Sequence, residues 1–202
     1  MSRLDRIILT DVDGVLLDWE KHFSRWMEFR GYQQIEGAEK LYAMYERYGI
    51  SQEEKEELIR EFNSSAWMGT QEPMHGSQTW VKLLHAEGWT FIPITSQTTD
   101  IPAQELRKRR LKELFGGTVF ENFFILDTGA DKDSALAEFH GTGLWWVEDK
   151  ITNAELGLQY GLKSILYNHP YNQEFVQSKI HRVNNWQEIR ILVNNTNDVK
   201  QK

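Results

Sequence analysis

The chain has 202 residues with a formal net charge of −7, 40% hydrophobic and 26% charged, which fits one globular domain with room for an insert and excludes a disordered or collagenous chain. It contains no cysteine, so a disulfide scaffold, a thiolate metal site and a cysteine nucleophile are all excluded. No apolar run approaches the ~18 residues that cross a bilayer, and the apolar stretch before Asp11 is too short for a signal sequence, so a cytoplasmic protein with no membrane partner is expected.

The first apolar run, Ile7–Thr10, reads as a buried strand. Residues 18–72 then show no strand signal. Apolar residues recur there at helical spacing, in Trp19, Phe23, Trp26 and Met27, again in Leu41, Met44, Tyr45 and Tyr48, and in Leu58, Ile59 and Phe62. Gly49 ends one helix, and Ser51 with Glu54 forms a capping-box pattern that opens the next. This segment is expected to be a small helical cap of about three helices, far longer than the usual ~2–6 residue connection. It holds 12 acidic and 7 basic residues, a balance that repels polyanions and argues against a polynucleotide partner.

Helical and strand patterns then alternate. Residues 76–86 read as helix, 90–95 as strand, 103–115 as helix, 122–126 as strand, 132–139 as helix, 144–147 as strand, 152–160 as helix and 164–167 as strand. The strands are continuous apolar runs, the signature of a parallel sheet covered on both faces. The expected fold is α/β, doubly wound. Residues 1–17 and 73–193 form its core domain, 18–72 the cap and 194–202 a polar, frayed tail. The basic run Arg107-Lys108-Arg109-Arg110 sits inside a helical pattern and reads as a solvated face.

The chemistry gathers at strand ends. Asp11-Val12-Asp13-Gly14 follows the first strand directly, at the edge of an open α/β sheet where ligands bind. Two carboxylates that close call for a hard cation or a shared proton, although Asp and Gly are also ordinary turn formers. Thr95 and Ser96 end the second strand and offer hydroxyls to a phosphate oxygen. Lys132 opens a helix, where its charge adds to backbone N–H groups that favour an anion. Glu148 and Asp149 end a later strand and suit Mg²⁺. Six histidines show no paired metal spacing and read as structural or surface residues.

The ordered set DVDGV, ITS, the lysine and VED resembles the haloacid dehalogenase superfamily of aspartate-nucleophile phosphatases. The resemblance implies a Rossmann-like core with a cap after the first strand, and it implies roles. Asp11 would be the nucleophile that forms an aspartyl-phosphate. Asp13 would be general acid to the leaving group and then general base to water. Thr95 would bind the phosphoryl group, with Ser96 beside it on the substrate, and Lys132 would stabilise its charge. Asp149, Asp11 and the main-chain carbonyl of Asp13 would hold Mg²⁺. An Asp two residues after the nucleophile points to phosphate chemistry rather than dehalogenation, because a phosphate ester's leaving group needs a proton. Glu148 and Asn153 depart from the superfamily's usual doubled or spaced aspartates, so the resemblance assigns them no role.

The stretch Leu166-Tyr167-Asn168-His169-Pro170-Tyr171-Asn172, followed by Arg182-Val183-Asn184-Asn185-Trp186, resembles the ending of the 5'(3')-deoxyribonucleotidase family. That resemblance implies a small phosphorylated metabolite as substrate, a (deoxy)nucleoside monophosphate, with cap aromatics holding the base. The insert offers Trp19, Phe23, Trp26, Phe62 and Trp67 for this; Phe23 and Trp26 fall on the apolar face of a helix and fit its core, whereas Trp67 and Met68 lie outside that pattern and are the candidate pocket residues. Two other readings stay open. One is a sugar-phosphate phosphatase or phosphomutase on the same core; the other is a non-hydrolytic phospho-acceptor or binding module, which would have no need of so long an insert.

Overall fold

The computed structural model describes residues 6–37 and 44–198. In chain order the elements are β1 (Ile7–Thr10), α1 (Trp19–Phe29), α2 (Met44–Tyr48), α3 (Gln52–Asn63), a 3-10 turn (Ala66–Gly69), α4 (Ser77–Ala86) and β2 (Thr90–Ser96). They continue with α5 (Ile101–Phe115), β3 (Phe124–Leu126), α6 (Asp133–Ala137), β4 (Trp145–Glu148), α7 (Ile151–Gln159), β5 (Lys163–Tyr167), β6 (His181–Val183) and α8 (Trp186–Asp198). No helix among the described residues is long and apolar enough to cross a membrane.

The six strands form one parallel sheet in the order β3-β2-β1-β4-β5-β6. β1 lies in the middle, with Ile8 in register with Phe91 on one side and Trp145 on the other. Alternate residues of a strand point to opposite faces. Accordingly Ile8, Phe91, Trp145 and Ile165 pack with Val81, Leu84, Leu111 and Trp186 of α4, α5 and α8, while Ile7, Leu9, Ile92 and Trp146 pack with Ala135, Leu136 and Leu156 of α6 and α7. Both faces are covered, which is why these strands are apolar without alternation. The doubly wound α/β reading of the sequence is the fold observed.

The insert after β1 is helical. Asp18 caps α1 by accepting from the Lys21 N–H, and Ser51 caps α3 by accepting from the Glu54 N–H. Phe23, Trp26, Met27, Leu58, Phe62 and Met68 build a cluster of their own, which reaches the sheet domain through Ala103 and Leu106 of α5. The two ends of the insert meet, since Asp18 N–H donates to the Glu72 carbonyl at 3.0 Å and Met74 N–H to the Leu16 carbonyl at 2.9 Å. The sheet can therefore carry the insert without opening.

Two elements depart from the sequence reading. β6 is only three residues long and holds the exposed His181 and half-buried Arg182, so it gives no apolar run. α8 continues to Asp198, past Asn194 where a polar tail was expected. Asn194 is anchored there, accepting from Trp89 Nε1 at 3.0 Å and donating to Glu87 Oε2 at 2.9 Å. The start of the same helix pins the loop after β1, because the buried Trp186 Nε1 donates to the Val15 carbonyl at 2.8 Å.

Candidate active site

β1 and β4 end side by side, and this puts their terminal acids together. Asp11 N–H donates to the Val147 carbonyl at 2.8 Å, and its Oδ1 accepts from Val12 N–H at 2.7 Å. Gly14 turns the chain away with φ +76°, and a Cβ there would fall 2.3 Å from Asp149 Oδ2. The turn thus needs glycine twice over, for its backbone conformation and for the close approach.

Lys132, immediately before α6, reaches between the two strand ends. Its Nζ lies 2.8 Å from both Asp11 Oδ1 and Glu148 Oε2, and both it and Glu148 are buried. Glu148 is saturated with donors, taking the N–H groups of Asp149 and Lys150 at 3.0 Å each and Asn153 Nδ2 at 3.2 Å. Asp149 accepts from the Tyr171 hydroxyl. Tyr171 stacks on His169 at 5.0 Å, and His169 Nε2–H donates to the Gly14 carbonyl at 2.7 Å. His169 therefore lines the cavity while it holds the Gly14 carbonyl, a structural role.

Carboxylate oxygens of Asp11, Glu148 and Asp149 lie within 4.8 Å of one another. Burial pushes the Asp11 carboxyl well above the usual range, and the charges of Glu148 and Asp13 add to that push against Lys132. Burial likewise raises Asp149, reinforced by Glu148 and Asp11. Glu148 goes the other way. Burial raises it, but Lys132 and the surrounding hydrogen bonds outweigh that and hold it down at about 2. Buried Asp11 and Glu148 and half-buried Asp149, set against one ammonium, leave an excess of negative charge, and with Glu148 already saturated the hard oxygens of Asp11 and Asp149 fit a divalent cation such as Mg²⁺. The Asp13 carboxylate is not in this cluster.

Asp13 faces the same cavity, of about 1510 Å³, but its carboxylate is held elsewhere. Arg107 Nη1 donates to its Oδ1 at 2.7 Å, and Thr95 Oγ1 stands 3.5 Å from its Oδ2. Arg107 is fully buried, which corrects the reading of the basic run as a solvated face. Only its neighbours behave that way, Lys108 pairing with Glu105 and Arg109 with Glu113 on the outside of α5. Ser96 lines the cavity and donates to the Ala130 carbonyl at 2.7 Å. From the insert, Trp19, Ser24, Tyr45, Arg47 and Lys55 complete the walls.

Trp67 and Met68 are not among the lining residues. The 3-10 turn that carries them packs onto α5, so Met68 is buried against Arg107, with Arg107 Nη2 at 3.0 Å from its Sδ, and Trp67 meets the rings of His22 and Phe29. Phe23, Trp26 and Phe62 pack on one another. Of the insert's expected base-holding aromatics, Trp19 alone borders the cavity.

No protein-family model and no curated protein matches the sequence. Solved structures do match most of the chain. A haloacid dehalogenase-like family hydrolase from Streptococcus pneumoniae superposes with a TM-score of 0.60 at 11% identity, covering 95% of this chain and 99% of its own. A haloacid dehalogenase-superfamily hydrolase of subfamily IA from Geobacter sulfurreducens gives a TM-score of 0.58 at 17% identity, covering 93% and 96%. The fold is that of the haloacid dehalogenase hydrolases. A D,D-heptose 1,7-bisphosphate phosphatase from B. bronchiseptica, solved with magnesium and phosphate, shares it with a TM-score of 0.57 at 14% identity over 95% and 99% of the two chains.

In this fold, the ends of β1, β2 and β4 bring Asp11, Asp13, Thr95, Glu148 and Asp149 to one edge of the sheet, and Lys132 joins them from the start of α6; all but the buried Thr95 line the cavity. Arg107 and Tyr171 were missed. For Arg107 a signal existed, because Ala103, Arg107 and Leu111 share a four-residue spacing and all three are buried.

Proposed function

We propose that this protein is a Mg²⁺-dependent phosphomonoester hydrolase with Asp11 as nucleophile, acting on a small phosphorylated metabolite, foremost a nucleoside monophosphate. The observation that carries the reading is Asp11 bridged by Lys132 to Glu148, with Asp149 beside it and Asp13 across the same cavity. Asp11 attacks phosphorus as the ester oxygen leaves, and Asp13 gives that oxygen a proton. The aspartyl-phosphate then yields to a water molecule from which Asp13 takes the proton back. Lys132 and the hydroxyls of Thr95 and Ser96 meet the charge on the transferred group. Mg²⁺, held by Asp11, Asp149 and the Asp13 carbonyl, would supply positive charge to the phosphoryl oxygens and offset the crowded carboxylates. Trp19 and Tyr45 on the cavity wall, with the nucleotidase-like ending, favour a nucleobase. The heptose bisphosphate phosphatase among the structural neighbours favours a sugar phosphate as second choice.

The test is initial-rate phosphate release over a panel of nucleoside and deoxynucleoside monophosphates and sugar phosphates, with Mg²⁺ and with EDTA. Metal-dependent release with highest kcat/KM on a nucleotide is expected. Preference for sugar phosphates would replace the substrate assignment, and no release from any ester would contradict the hydrolase assignment.

Metal binding has its own signature. Without metal, the folded protein holds Asp11 and Asp149 raised, so it binds their protons more tightly than the unfolded chain does, and stability is lost as pH rises through those values. A divalent cation removes that loss. Mg²⁺ should therefore raise Tm more at pH 8 than at pH 5.5 in calorimetry; an equal shift at both, or none, would speak against these carboxylates as ligands.

A further inference from the structure

The buried guanidinium of Arg107 is not used by the chemistry above. A charge taken fully out of water is costly unless something satisfies it, and here the satisfaction is incomplete. Nη1 donates to Asp13 Oδ1 at 2.7 Å, Nη2 meets only the weak acceptor Met68 Sδ at 3.0 Å, and Nε–H has no hydrogen-bond partner. Such a residue is poorly explained by fold stability, since an apolar side chain would fill the space between α5 and the insert with no desolvation cost. What the guanidinium does achieve is to fix one oxygen of a carboxylate that otherwise sits in a loop and lines the cavity. Asp13 Oδ2 is left on the side of Thr95.

We infer that Arg107 is a positioning residue for Asp13: it anchors Oδ1 so that Oδ2 is presented to the leaving-group oxygen, and it is itself seated by Met68 of the insert. This rests on the phosphatase assignment and extends it. The insert's 3-10 turn thereby takes part in aiming the acid, although neither Met68 nor Arg107 touches substrate.

The leaving group separates this role from a structural one. p-Nitrophenolate departs without a proton, whereas an alkoxide needs one, and kcat/KM reports only the steps up to the first irreversible departure. Arg107→Met, close in length and apolar, should lower kcat/KM for glycerol 2-phosphate by about 10²-fold while kcat/KM for p-nitrophenyl phosphate falls less than about fivefold. Asp13→Asn should show the same discrimination, and Arg107→Met in that background should add almost nothing. Arg107→Lys, which keeps the charge and stem, should lose an intermediate amount on the alkyl ester only, and it supplies the comparison if the methionine variant does not fold. Equal losses on the two esters, or additive losses in the double variant, would overturn the positioning role while leaving the hydrolase assignment standing. A wild-type protein that releases phosphate from neither ester would overturn both.

Discussion

Asp11→Asn abolishes turnover of p-nitrophenyl phosphate, a fall of at least about 10⁴-fold in kcat, and leaves the protein folded. Asparagine keeps the size of the side chain and an oxygen for the Val12 N–H, which Asp11 Oδ1 accepts at 2.7 Å, but its amide is a very weak nucleophile. Lys132 keeps its second partner, Glu148, at 2.8 Å. One of three crowded carboxylates is gone, and burial and neighbouring charges already disfavour the charge of Asp11. The variant should thus match or exceed the wild-type Tm in EDTA. Initial rates and a thermal melt on the same preparation check both halves; retained activity, or inactivity explained by unfolding, would count against the nucleophile.

Lys132→Met has the second large effect, on stability as well as rate. It removes the ammonium that lies 2.8 Å from both Asp11 and Glu148, stranding carboxylates away from water. Breaking such a buried pair costs about 3–5 kcal/mol, and loss of the charge facing the phosphoryl group costs about 10²–10³-fold in kcat. The pH dependence follows from Glu148, which the folded protein holds at about 2 against an ordinary 4.5. That depression stabilises the fold above the ordinary value and is lost as pH falls toward 2. Lys132 itself is raised by Asp11 and Glu148 despite its burial, so its contribution is fully present below 10.5. The difference between wild type and variant in urea unfolding should be full at pH 7.5 and clearly smaller at pH 3. A difference independent of pH would mean that packing, not the ion pairs, carries the loss.

The parts that the sequence disclosed are those set by local pattern. Strands buried on both faces are necessarily apolar runs, so β1, β2 and β4 were visible, and with them the acids and hydroxyls that their ends deliver. The long connection after β1 was visible as helical because Phe23, Trp26, Leu58 and Phe62 keep helical spacing. Residues whose partners are remote were not visible. Arg107 hides in a basic run and finds Asp13 only when α5 packs beside the loop after β1, a separation of 94 residues. Glu148 shows its purpose only once Lys132 closes on it from α6. Trp67 and Met68 looked free because their turn breaks the helical pattern, yet the turn packs on α5. Tyr171 and His169 lie in a loop after β5 and meet Asp149 and Gly14 only through the closure of the sheet.

A covalent trap tests a nucleophilic Asp11 most directly. The protein is acid-quenched during Mg²⁺-supported turnover of p-nitrophenyl phosphate, reduced with borohydride, which converts an aspartyl-phosphate to homoserine, and mapped by mass spectrometry. The expected result is homoserine at position 11 and nowhere else, absent from Asp11→Asn. Phosphate release with Asp11 unmodified under conditions where other acyl phosphates are trapped, or modification at a different residue, would contradict it.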